Sequence, residues 1–190
     1  MPTPDRTSLE EIVRAGQEIL EAQGIGGLTM QAVADRVGVR APSLYKRVRS
    51  RDDLVGLIAE ATVRDLGERL GAIGSGSDPR RHLAQLARAF RAFAQARPAG
   101  YQLIFAPGPG ITRPSMEALT DATAPVMRVA AELAGPEFAL EAARTITAWA
   151  NGFISMELTG AFQLGGNVDR AYEFGIARLT DALGGPARPA

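Results

Sequence analysis

Between Thr29 and Leu54 the chain reads TMQAVADRVGVRAPSLYKRVRSRDDL, and the spacing inside that stretch leaves few folds open. Met30, Val33, Ala34 and Val37 recur at i, i+3, i+4 and i+7, which is one face of a helix at about 100° per residue. Thr29 stands just before the stripe, where its hydroxyl can satisfy an orphan amide of the first turn. Gly38 follows the last stripe residue, where a left-handed conformation costs a residue without Cβ little. Val39 can tuck into the corner that follows. Pro42 is pre-set for the first turn of a second helix, and it predicts that Ala41 is pushed out of the helical region. Leu44 and Val48 then form an i, i+4 apolar pair able to dock on the first helix. With that pair facing inward, Pro42, Ser43 and Lys46 point away and Tyr45 and Arg47 sit on the flanks. A short helix, a Gly-centred turn and a second short helix exposing Ser, Tyr, Lys and Arg make a helix-turn-helix, suited to base edges and phosphates.

The distribution of charge supports the same reading. Over the whole chain the formal charge is zero, which by itself does not favour nucleic acid. Between Arg36 and Arg51, however, six basic residues (Arg36, Arg40, Lys46, Arg47, Arg49, Arg51) occur with no acid among them. Such a run alone is often a solvated face. Its coincidence with the helix-turn-helix favours a polyanion. Lys46 is the only Lys in the chain.

The run LTMQAVADRVGVRAPSLYKRVRSRDDL resembles the DNA-binding signature of the TetR family of bacterial regulators. The family pattern is roughly LT, then VA, then GV, then PSLY, an aromatic or aliphatic pair, a basic residue and a Leu. This chain supplies Leu28-Thr29, Val33-Ala34, Gly38-Val39 and Pro42-Ser43-Leu44-Tyr45, and continues with Val48, Arg51 and Leu54. Arg47 stands where the family often has His, and Arg51 where it usually has Lys. Both keep a donor that can reach DNA. The resemblance implies a homodimeric transcriptional regulator, most often a repressor, that binds a pseudo-palindromic operator in double-stranded DNA and is released by a small molecule. The expected DNA contacts are Thr29, Gln31, Arg40, Ala41, Pro42, Ser43, Tyr45, Lys46, Arg47 and Arg51. Arg51, at the start of the following helix, is expected to meet a phosphate with help from the terminal amides.

The flanking segments read as helices throughout. Residues 1–7 are expected to be a mobile arm. Ser8 with Glu11 makes a capping-box start, and Leu9, Ile12, Val13, Gly16, Ile19 and Leu20 give a helical stripe closed by Gly24. GIGG at 24–27 lacks a following Lys and a preceding strand, so it is a loop and not a phosphate cradle. Ser50 and Asp53 cap a helix expected over 51–73. GSGSDP at 74–79 is the clearest break in composition. Helices follow over about 79–97 and 98–106, PGPG at 107–110 stops helicity, and another helix runs over 115–133 with Pro125 as a kink. Pro136 should open a long helix through Phe162, and Val168–Leu183 should form the last. No segment shows strand alternation, so the fold class is all-α. The expected division is a helix-turn-helix head over 1–50 and a helical ligand-binding and dimerisation region over 51–190, bridged by the helix over 51–73.

The long penultimate helix has apolar residues on two faces, one with Ala142, Ile146, Trp149, Phe153, Met156 and Gly160 and the other with Ala143, Thr147, Ala150, Ile154, Leu158 and Ala161, and both must be covered. One can face the core. The other, rich in small residues, can pair with a second copy together with Ala171, Tyr172, Phe174, Gly175 and Leu179 of the last helix, giving a homodimer through the last two helices. The run WANGFISMELTGAF also resembles the C-terminal domains of one TetR-like subgroup.

Other chemistry finds little support. The chain has no Cys and one His, His82. Nothing resembles a nucleophile elbow, a calcium loop or a Glu-x-x-His pair, so neither enzyme activity, metal nor cofactor is expected. Nothing at the start of the chain resembles a secretory signal, and no apolar run is long enough to span a membrane, so a cytoplasmic protein is expected. A cavity for an uncharged, partly apolar effector could be lined by Phe90, Phe93, Tyr101, Phe105, Met116, Met127, Trp149, Phe153 and Met156, with Asn151 or Glu157 as polar anchors. The alternative is that these side chains simply fill a core. An effector-independent architectural helix-turn-helix protein and a small helical enzyme are the rival functions.

Overall fold

Capping residues set the helix boundaries. In the computed structural model, which describes residues 7–74, 76, 78–106, 108 and 113–185, Ser8 and Glu11 close a reciprocal capping box at the start of α1 (Leu9–Gly27). The Thr29 hydroxyl accepts from Ala32 N at 3.1 Å and opens α2 (Met30–Val37). Next come α3 (Ala41–Leu44) and α4 (Arg51–Gly71), the latter with Asp53 N donating to Ser50 Oγ at 3.1 Å. Then follow α5 (Pro79–Ala96), α6 (Pro98–Phe105), α7 (Met116–Ala134), α8 (Ala139–Leu158) and α9 (Val168–Leu183). Among the described residues there is no strand, and the all-α expectation holds. The expected N-terminal arm, apart from Thr7, lies outside the described residues, as do Ser75 and Ser77 of the joint and most of PGPG.

Four local expectations need correction. GIGG at 24–27 is not a loop, because Gly24, with φ 69° and ψ −177°, breaks α1 and helical turning resumes as far as Gly27. Ala41 is the first residue of α3, and the extended residue is Arg40, with φ −83° and ψ 144°. The bias that proline imposes on its predecessor is a preference, and here Ser43 N donating to Arg40 O at 2.8 Å closes the turn around Ala41 and Pro42. Pro136 opens only a 3-10 turn, Pro136–Phe138, before α8 begins at Ala139. At its other end α8 stops at Leu158, short of Phe162. Gly160 takes φ 66° there, and Ala161 N reaches back to Met156 O at 2.8 Å, the bond of a left-handed helix cap.

The described residues fall into two compact units. The first holds those up to Asp65 together with Arg97–Leu119, and the second Leu66–Ala96 with those from Thr120 onward. In the first unit Ile12, Ile19 and Leu20 of α1 meet Leu28, Val33, Leu44, Val48, Leu54 and Ile58, all at most 3% exposed. Gly16 lets Ile58 approach α1 closely, since a Cβ there would lie 2.5 Å from Ile58 Cδ1 and that side chain would have to shift. Carboxylates join the 97–119 segment to the same unit. Glu21 accepts from Ala99 N and Gly100 N at 3.1 and 2.8 Å, supplying α6 with the cap that Arg97 does not provide. Glu60 accepts from Ser115 N and Ser115 Oγ, both at 2.7 Å, and Asp65 pairs with Arg97 at 3.4 Å.

In the second unit arginines along α5 set the register of α9. Arg80 meets Asp181 at 2.5 Å, Arg88 forks onto Glu173 at 2.8 and 2.6 Å, and Arg91 meets Asp169 at 2.7 Å. Numbering falls on α9 as it rises on α5, so the two helices run antiparallel. Arg91 also forks onto Glu157 of α8 at 2.8 and 2.5 Å, and lies 4.9 Å from the Tyr172 ring centroid. Tyr172 is fully buried and its hydroxyl donates to Ala87 O at 2.8 Å. Trp149 stacks on Tyr172 at 5.2 Å and lies against Gly175, where a Cβ would come within 2.2 Å of the indole.

Hydrogen bonds from Arg91 hold the Glu157 carboxyl below the usual carboxylate range, with burial opposing them and Gln95 adding a smaller effect in the same direction. A carboxyl whose folded pKa is depressed stabilises the fold above its unfolded value and loses that contribution as pH falls through the folded value. Glu157→Gln should therefore cost about 2 kcal/mol at pH 7, with the difference from the unsubstituted protein shrinking toward pH 3. Urea unfolding midpoints measured across that range check both the size and the pH trend.

Candidate nucleic-acid interface

The helix-turn-helix is built over a core that leaves one edge of α3 uncovered. Gly38 takes φ 73° and ψ 31°, and Val39 N reaches back to Ala34 O at 3.0 Å, so the chain leaves α2 through a left-handed turn. No heavy atom lies within 4 Å of a Cβ placed on Gly38, so the requirement for glycine there is conformational and not steric. α3 has only four residues, and helical turning persists beyond it, with Val48 N donating to Leu44 O at 2.9 Å. Leu44 and Val48 are both fully buried, each contributing roughly 1.5–3 kcal/mol by removal from water.

With that pair inward, Pro42, Ser43, Lys46 and Arg47 are exposed, Tyr45 is 54% exposed, and Ala41 is half-buried beside them. The wheel drawn from spacing alone therefore describes the side chains' directions. Thr29 keeps its hydroxyl hydrogen available while its oxygen caps α2, since a hydroxyl both donates and accepts. Gln31 is exposed and its amide donates to Asp35 Oδ1 at 2.7 Å, which holds it along α2.

The basic run divides by partner. Arg36 pairs with Glu18 at 3.2 Å, removing it from the cationic edge. Arg51 turns to the backbone just before α2, its Nε donating to Leu28 O at 2.7 Å and its Nη2 to Ile25 O, in the turn of α1 beyond Gly24, at 2.6 Å. Arg40, Lys46 and Arg49 are exposed, and no ion pair engages them among the described residues. Arg49 extends the edge beyond the expected contacts. Its exposure follows from Val48, the buried neighbour one position earlier, and the basic run already contained it.

The candidate effector residues are divided between the two units. The Tyr101 and Phe105 rings lie 4.9 Å apart in a tilted arrangement in the first unit, with Tyr101 2% exposed. Met116, also there, is 76% exposed, and Met156 of the second unit is 47% exposed. Phe90 and Phe93 are buried in α5, the latter 5.7 Å beneath the Arg69 guanidinium. Trp149 and Phe153 join a cluster with Tyr172 and Phe162, at ring separations of 4.8 to 5.9 Å. Met127 is half-buried in α7. Glu157, expected as a polar anchor, is taken by Arg91 and Gln95. Tyr172, expected on the pairing face of the last helix, is instead buried within this chain with its hydroxyl donating to Ala87 O, and Arg91 has no local signature because Glu157 and Asp169 lie 66 and 78 residues away in sequence. His82 is 2% exposed, which makes it a core residue of α5.

Helices in this order, with a Gly-turned pair presenting a polar and basic edge, define a helix-turn-helix DNA-binding regulator. Residues 12–58 match the family described as bacterial regulatory proteins, tetR family, and residues 83–179 match the tetracyclin repressor-like C-terminal domain. The chain is 30% identical over 159 residues to the uncharacterized HTH-type transcriptional regulator Rv0681 of Mycobacterium tuberculosis, covering 83% of this chain and 73% of that protein. It is 31% identical over 163 residues to the tetracycline repressor protein class A from transposon 1721 of Escherichia coli, covering 84% and 73%. In fold it is similar to a TetR variant from Acinetobacter baumannii AYE solved in complex with minocycline, with TM-score 0.68, 24% identity, and 93% and 96% of the two chains covered. The chain belongs to the TetR family of transcriptional regulators.

Because Gly38 is held by its dihedral angle alone, Gly38→Ala should destabilise the protein by about 1 kcal/mol, and Gly38→Asn should recover part of that loss. Thermal unfolding of the three proteins tests the order Gly, Asn, Ala. Equal melting temperatures for Gly and Ala would contradict it.

Proposed function

We propose that this regulator is a homodimeric repressor that binds a pseudo-palindromic operator and releases it when a small molecule binds. The observation that carries the reading is the uncovered edge of Pro42, Ser43, Tyr45, Lys46 and Arg47, held outward by the buried Leu44 and Val48. Each head lays this edge in a major groove, where Ser43, Tyr45, Lys46 and Arg47 offer hydrogen bonds to base edges and phosphates, and Ala41 and Pro42 offer apolar contact to thymine methyls. Thr29, Gln31 and Arg40 meet the backbone or the groove edge. Two heads read half-sites about one turn or a little more apart.

Dimerisation through α8 and α9 is supported by what these helices leave uncovered. Leu140 and Met156 of α8 are 45% and 47% exposed, and Phe174 of α9 is 67% exposed. Gly152 adds a separate observation. It lies inside α8, and a Cβ added there would have nothing within 4 Å, so among the described residues no neighbour requires glycine at that position. A glycine within a helix costs about 0.5–1 kcal/mol relative to alanine. Close approach of a second copy's helix gives that cost a reason.

The effector is an uncharged, partly apolar small molecule bound in the second unit, where Phe90, Phe93, Met127, Trp149 and Phe153 supply apolar and aromatic surface. The minocycline held by the Acinetobacter protein supports a small-molecule effector in general and does not specify this one. For near-complete release the effector must favour the non-binding state by roughly 5.5 kcal/mol.

Lys46→Ala should lower affinity for any duplex and reduce the log–log salt slope by about 0.9 per chain, as loss of one phosphate contact requires. An unchanged slope would remove Lys46 from the phosphate contacts. Sedimentation at micromolar concentration should give a dimer for the unsubstituted protein and a monomer for Gly152→Leu. A monomer in both cases contradicts the dimer.

A further inference from the structure

Arg51 stands one residue beyond the helix-turn-helix and Leu28 one residue before its first cap. The segment between them, Thr29–Ser50, is the whole motif. The Arg51 guanidinium joins these two ends. Its Nε donates to Leu28 O at 2.7 Å and its Nη2 to Ile25 O at 2.6 Å, so one planar group holds two carbonyls at the end of α1 and just past it. The end of α1 needs donors from outside. α1 is broken at Gly24, with φ 69° and ψ −177°, and it has no basic residue in its last turn to meet the carbonyls exposed there. Leu28 is fully buried, so the carbonyl held by Nε belongs to a residue anchored in the core.

We propose that Arg51 is a positioning residue, a staple across the base of the helix-turn-helix that fixes the entry of α2 against the start of α4, and that it does not serve as a phosphate ligand. Two of its donors are already directed at protein carbonyls, and Nη1 lies 4.0 Å from Asp52 Oδ1. The geometry is specific to a guanidinium. Two donors in one plane, about 2.3 Å apart by covalent geometry, reach two carbonyls at once, whereas a Lys ammonium is a compact point charge with no such fork. Lys in place of Arg51 keeps the charge and loses the staple. That separation makes the role testable.

The inference rests on the proposed DNA reading, and the experiment separates the two. A 30-bp duplex is first selected from a random pool by the unsubstituted protein. Failure to select or bind any duplex sinks the DNA reading itself. Binding of the selected duplex and of a random-sequence duplex is then compared for Arg51→Lys and Arg51→Gln, over a range of salt and well below each variant's melting temperature. The staple predicts that both variants lose about tenfold in preference for the selected over the random duplex, while the salt slope on random DNA stays within half a unit. Lys does not rescue, although it restores the charge. A slope that falls by about 0.9 per chain in Arg51→Gln and returns in Arg51→Lys assigns Arg51 to a phosphate and overturns the proposal. Unchanged preference in both variants overturns it as well. If Arg51→Gln does not fold, Arg51→Lys alone decides: retained preference contradicts the staple, and a tenfold loss at unchanged slope supports it.

Discussion

Burial of Leu44 and Val48 is the interaction on which the interface depends. A helix of four residues has no independent stability, because nucleation fixes several residues for a single hydrogen bond. α3 therefore exists only as docked. The core of Ile12, Ile19, Leu20, Val33, Leu54 and Ile58 receives the pair, and by doing so decides which way Ser43, Tyr45 and Lys46 face. The left-handed Gly38 and the capped start of α2 matter because they deliver the chain to that docking position. A polar edge on an unsupported turn would sample many directions and read no sequence well.

The second unit uses a different device to reach a single arrangement. Its helices carry many Ala residues, which pack closely but do little to distinguish one register from the next. Arginine–carboxylate forks at Arg88–Glu173 and Arg91–Glu157, with the Arg80–Asp181 pair, tie α5 to α8 and α9 at particular residues. Arg88–Glu173 and Arg80–Asp181 are exposed enough that solvent screens them, so they specify register more than they stabilise. Arg91 is different. Its side chain is 12% exposed and it meets two carboxylates and an aromatic face, so breaking that set leaves buried charge behind.

Local chemistry was legible in the sequence, and long-range pairing was not. Thr29, Gly38, the Ser8–Glu11 box and the limits of α9 follow from caps, φ preferences and periodicity within a few residues, and they stand in the structure where spacing put them. Gly160 shows the limit of periodicity: the apolar pattern runs on to Phe162, but the left-handed turn ends α8 earlier. Arg51 illustrates a deeper one. Its charge and its place at a helix start both suggested a phosphate, while its observed acceptors, Leu28 O and Ile25 O, lie 23 and 26 residues back and have no signature in side-chain type. Glu21 likewise caps α6 from 78 residues away. Backbone acceptors and distant carboxylates become visible only once the helices are packed.

The exposed edge of α3 is proposed as the surface that meets DNA, presented twice by a symmetric dimer. Hydroxyl-radical footprinting on a duplex selected from a random pool tests it most directly. Two such edges predict two protected patches on one face of the duplex, with centres about one helical turn or a little more apart. A single protected patch, or protection that runs unbroken around the duplex, would contradict it.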